Sequence, residues 1–150
     1  VYDIGGFERE IRDAHRADPS ARFALVGFSA GTLAVRAAAN RLVRDGVPVA
    51  MVGYIGGDYL TDTAYTRPPG AVVVNVTGDG FLLTGRNLLW NGTDVAGAAN
   101  VRLDRVAHFD LPEHPRTRAA LLTGLAEVSG WLPSGPDVAP VQHAPAAVGR

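Results

Sequence analysis

Residues 22–44 hold the feature that most constrains this chain. A short apolar run, Phe23-Ala24-Leu25-Val26-Gly27-Phe28, passes directly into Ser29 and then into a helical pattern from Ala30 to Arg44. The first part has the length and composition of a buried strand; the second places Val35, Ala38, Ala39 and Leu42 on one stripe. No linker separates them. The chain must therefore reverse from strand to helix around Gly27-Phe28-Ser29-Ala30-Gly31, which leaves room only for tiny residues beside the serine. Gly27 and Gly31 meet that need, and bulk at either position, as in Gly31→Val, is expected to clash.

The same alternation continues. A helix is expected from Gly6 to Ala17, with Phe7, Ile11 and Ala14 inward and Glu8, Arg9, Arg12 and Asp13 outward. Asp18-Pro19 ends it. Arg22–Phe28, Val47–Ile55, Ala71–Thr77 and Val101–Val106 read as strands, the first buried on both faces. Ala107–His114 reads as a loop, and Pro115 opens a last helix ending near Trp131. Strands joined by helices or crossover-length segments predict an α/β fold, a mostly parallel sheet of about four strands with flanking helices. Residues 1–132 are expected to form one domain. Residues 133–150, rich in Pro, Ala and Gly, read as a flexible tail.

Composition excludes several functions. The 150 residues carry a formal net charge of -1, with 14 basic residues that are all arginine. There is no basic excess to neutralise phosphates, so nucleic acid is not an expected partner. With no cysteine there is no disulfide, thiolate metal site or thiol nucleophile. No run approaches the ~18 apolar residues of a membrane span. No G-x-G-x-x-G follows a strand and no lysine exists for a phosphate loop, so no cofactor is expected. Asp58 and Asp62, with Thr61 and Thr63, read as a polar loop rather than a metal site. Asn75-Val76-Thr77 and Asn91-Gly92-Thr93 match the glycosylation sequon, the first inside a predicted buried strand. The chain starts at Val1 without a signal pattern, which fits a cytoplasmic or a secreted protein.

Around the G-x-S-x-G turn the chain resembles the α/β-hydrolase superfamily, the esterases, lipases and thioesterases. The likeness runs from Arg22 to about Trp131, the C-terminal half of that fold. It implies Ser29 as nucleophile and the Ala30 N–H as an oxyanion donor. The family's order is Ser, acid, His. Asp79, after the third strand, and Asp58, after the second, are the candidate acids; Asp94 and Asp104 are poorer. His108, after the last strand, is the candidate base. His114 is the alternative, with a helix-start role the simpler reading, and His15 and His143 read as solvated. The resemblance implies hydrolysis of a small ester or lipid-like substrate through an acyl-serine. Tyr59, Tyr65, Phe81, Leu82, Leu83 and Trp90 would suit an apolar pocket.

The family also carries sheet on the N-terminal side of the nucleophile strand and a second oxyanion loop. Here the residues before Arg22 read as one helix, and Gly5-Gly6 stand in the wrong place for that loop. The Ser29 strand is therefore expected at or near a sheet edge, open to homo-oligomer formation. A chain lacking its N-terminal strands is expected. The competing reading is a non-catalytic binding or assembly domain that keeps the turn as a relic.

Overall fold

The computed structural model of the chain describes residues 4–57, 68–78 and 94–130. They form a four-stranded, all-parallel sheet with three α-helices. In chain order the elements are α1 (Ile4–Ala17), β1 (Phe23–Phe28), α2 (Ala30–Arg44), β2 (Val49–Ile55), β3 (Val72–Gly78), β4 (Ala99–Leu103) and α3 (Pro115–Ser129). A 3-10 turn, His108–Asp110, lies between β4 and α3. Spatial order follows chain order, β1-β2-β3-β4, so β1 is an edge of the sheet that the described residues form.

Two apolar layers hold the sheet. On one face, the α2 stripe (Val35, Ala39, Leu42) packs with Leu25, Val49, Val52, Tyr54 and Val73. On the other, α3 brings Ala120, Leu121 and Leu125 against Met51, Val74, Val76 and Val101. β2 is buried along its whole length, as a strand covered on both faces should be.

β1 departs from that expectation. Leu25 and Gly27 are buried, but Ala24 is exposed and Val26 is 47% exposed. The cause is tertiary. α2 covers β1 and β2, whereas α3 sits chiefly over β3 and β2. Among the described residues, one face of the edge strand is therefore only partly covered by a helix, and no strand pairs with its outer ladder groups.

α1 also differs from its helical-wheel reading. Glu8 is buried, while Phe7 is 40% exposed. The reason is ionic. Glu8 accepts from the Arg41 guanidinium of α2 and from Arg12 one turn on, and Arg12 also reaches Asp45 at 2.7 Å. The hydrogen bond from Arg41, ahead of its charge and of Arg12, holds the Glu8 carboxyl below its usual range despite burial. α1 thus docks on α2 through a half-buried ion network, and its apolar stripe is only partly used. His15 is half-buried rather than solvated, its ring edge-on to Phe23 at 6.4 Å.

β4 begins two residues earlier than its apolar run suggested and ends at Leu103. Asn100 sets the register. Its carboxamide accepts from Val95 N and Asn75 Nδ2 at 2.9 Å each, and donates to Val95 O at 3.0 Å. Arg105, at φ 57, then turns the chain away. Asn75 is 1% exposed and committed to this network, so the sequon at 75–77 is closed to modification in the folded chain.

Candidate active site

Ser29 stands at the C-terminal end of β1, where the chain reverses into α2. Its backbone is at φ 54, ψ −126, a region that side-chain-bearing residues rarely enter. Such strain costs about 1–3 kcal/mol and persists only where the surroundings impose it. They do so on both sides of the residue. Ser29 N donates to Ile55 O of β2 at 2.9 Å, extending the ladder by one step. Ser29 O accepts from Thr32 N at 3.0 Å and from Thr32 Oγ1 at 2.6 Å. Thr32 is itself fully buried.

Serine at a helix start normally uses its hydroxyl to cap the first turn. Ser29 makes no such side-chain bond. Ser29 is half-buried, and Ala30, the first helical residue, is exposed beside it.

The two flanking glycines are not equivalent. A Cβ on Gly27 would lie 2.4 Å from Gly31 O and 2.6 Å from Gly31 C, a collision with backbone that has no room to retreat. A Cβ on Gly31 would meet nothing within 4 Å among the described residues. The expected clash of Gly31→Val is therefore corrected. Gly31 matters as the backbone that Gly27 must clear, and its own side-chain direction is open.

His108 reaches the same end of the sheet from beyond β4. It opens the 3-10 turn and is 4% exposed. Its ring stacks on Phe28, the residue before Ser29, with centroids 4.8 Å apart and planes 29° apart. Leu111, fully buried, anchors the turn against Gly56 and Gly78 at the ends of β2 and β3. Burial pushes the His108 pKa below the ordinary histidine value. No hydrogen bond joins the His108 ring to Ser29 among the described residues.

His114 takes the other role weighed for it. It is the N-cap of α3, and its Nδ1 accepts from Arg116 N at 3.2 Å, with Pro115 following at the first helical position. Asp58 and Asp79 lie outside the described residues, as do the apolar positions Tyr59, Tyr65, Phe81, Leu82, Leu83 and Trp90, and His143 of the tail. Asp58 follows Gly57 after β2, and Asp79 follows Gly78 directly after β3.

Two residues of this arrangement were not singled out by sequence pattern. Phe28 was only the variable position of G-x-S-x-G, and Gly56 only a strand-end glycine. Their roles arise from the approach of a turn about 80 residues and 50 residues downstream, respectively, which no local pattern encodes.

Among the described residues, no group of three His, Asp or Glu side chains could hold a metal ion. None of the described helices is long and apolar enough to cross a membrane. No protein-family model and no curated protein matches this chain.

Proposed function

We propose that the chain is a serine hydrolase of the α/β-hydrolase type that cleaves carboxylic esters through an acyl-serine. The observation that carries this reading is the strained Ser29 backbone at a strand-to-helix turn, its hydroxyl unused as a cap. The buried imidazole of His108 against Phe28, the residue next to Ser29, supports it.

In this reading Ser29 Oγ attacks the ester carbonyl carbon while His108 takes its proton. The carbonyl electron pair moves onto oxygen, where the Ala30 N–H donates to it. Collapse of that intermediate expels the alcohol, which leaves with the proton from His108. Water then attacks the acyl-serine by the same route, releasing the acid. Asp79, or Asp58 as the alternative, orients the imidazole. A small ester or lipid-like molecule is the substrate class.

A fluorophosphonate probe tests the reading without requiring turnover. It should label the chain at one site, mapped by mass spectrometry to Ser29, and Ser29→Ala should abolish the labelling. A folded chain that takes no label would leave the non-catalytic binding or assembly reading in its place.

The edge position of β1 among the described strands carries a companion proposal, that the chain self-associates through it. Sedimentation of the 150-residue chain should show concentration-dependent association. Val26→Lys, which sets a charge on the half-exposed face of that edge, should shift the equilibrium toward monomer. A wild-type chain that stays monomeric up to the highest soluble concentration would remove the proposal.

A further inference from the structure

We propose that Phe28 and Gly56 form a slot that fixes the plane of the His108 ring beside the serine turn. Phe28 is then a positioning residue for the base. The inference rests on the hydrolase reading for its catalytic meaning, though the slot itself is a matter of geometry.

Three walls define the slot. Phe28 covers one ring face, nearly parallel at 4.8 Å. Phe109 meets the imidazole edge-on at 5.4 Å and 67°, and Phe28 at 6.4 Å and 66°. Gly56 closes the remaining edge. A Cβ there would stand 2.9 Å from His108 Cε1 and 3.0 Å from Nδ1. Gly56 also has φ +60, so glycine is required at this position both for its backbone and for the space it leaves.

The arrangement couples two elements that must act together. Phe28 pairs with Ile55 across β1 and β2, and Ser29 N bonds Ile55 O, so the stacking ring and the serine share one anchored stretch of backbone. Gly56 follows Ile55 and bonds Val76 O at 2.8 Å. A stacked aromatic restrains ring tilt in a way that an aliphatic side chain of similar volume does not. The two principal walls, Phe28 and Gly56, are uncharged, and burial is the cause that lowers the His108 pKa. The slot thus sets both the orientation of the ring and its desolvation.

The test uses the full 150-residue chain with labelled histidine, followed by NMR, and the fluorophosphonate labelling rate. In Phe28→Leu the His108 ring protons should move downfield, since the shielding of the stacked ring is gone. The His108 titration midpoint should rise toward the ordinary value, and the labelling rate should fall about tenfold. Phe28→Tyr should restore all three. Should Phe28→Leu unfold the chain, the wild type provides the second route, since its His108 ring protons should lie upfield and give cross-relaxation peaks to the Phe28 ring. Unchanged His108 shifts and midpoint in a folded Phe28→Leu chain, or wild-type His108 ring protons with neither the upfield shift nor the Phe28 cross-peaks, would overturn the slot. A wild-type chain that shows the slot shifts but takes no label would instead overturn the hydrolase reading alone.

Discussion

Gly27→Ala is expected to destabilise the chain by about 3 kcal/mol or more, or to prevent folding, while Gly31→Ala changes stability by less than about 1 kcal/mol. The two glycines stand symmetrically about Ser29 in sequence, and a motif reading treats them alike. The geometry separates them. The new methyl at position 27 would press on the carbonyl carbon and oxygen of Gly31 at 2.6 and 2.4 Å. Those atoms belong to the first turn of α2, whose Thr32 is tied to Ser29 by two hydrogen bonds. Relief would require pulling the helix start away from β1 or unwinding the Ser29 turn. At position 31 the same methyl points into open space among the described residues, and alanine has the better helix propensity. Urea denaturation of the two variants beside the wild type measures the difference. Equal destabilisation at both positions would contradict the geometry.

His108→Gln should lower the fluorophosphonate labelling rate by about 10²–10⁴-fold, the usual contribution of a positioned general base. The wild-type labelling rate should rise with pH along an acidic limb whose midpoint lies below the ordinary histidine value of 6.5. The direction follows from burial. Desolvation disfavours the imidazolium, so the ring stays neutral, and competent as a base, at lower pH than a solvated histidine. The same depression acts on stability. The unfolded chain binds the proton first, so the neutral buried ring contributes stability above the unfolded pKa that is lost as pH falls toward the folded one. A labelling limb at or above 6.5, or one unchanged in His108→Gln, would show that another group takes the proton. His114→Gln is the control. Its Nδ1 caps α3, so it should cost about 0.5–2 kcal/mol of stability and leave the labelling limb in place.

The parts of this fold legible in the sequence are those whose cause is local. The α2 stripe was readable because helical period and apolar content coincide, and those same residues are buried. The reversal at Ser29 was readable because a strand running straight into a helix leaves one way to turn, and glycine stands where backbone must pass close. β2 and β3 were readable because apolar residues dominate strands covered on both faces, Asn75 and Thr77 being the polar members of β3. Four strands in parallel followed from the alternation of strands with helices or long crossovers.

Other features depended on which segment arrives where. The composition of β1 says that both faces suit burial, but whether they are covered depends on where α3 lies, and α3 sits over its neighbours. Glu8 looks like a solvent-facing residue of α1 until Arg41 comes in from another helix and buries it. The start of β4 was misplaced because an asparagine, poor in strand propensity, is held there by bonds to Val95 and Asn75 that exist only once β3 is beside it. The difference between Gly27 and Gly31 is a matter of directions in space that the symmetric motif does not carry. Sequence alone determined the serine turn, since its sterics lie within five consecutive residues. Only the tertiary structure decided that His108 stacks on Phe28 against Gly56, because that contact joins three segments distant in sequence and exists only once the sheet has formed.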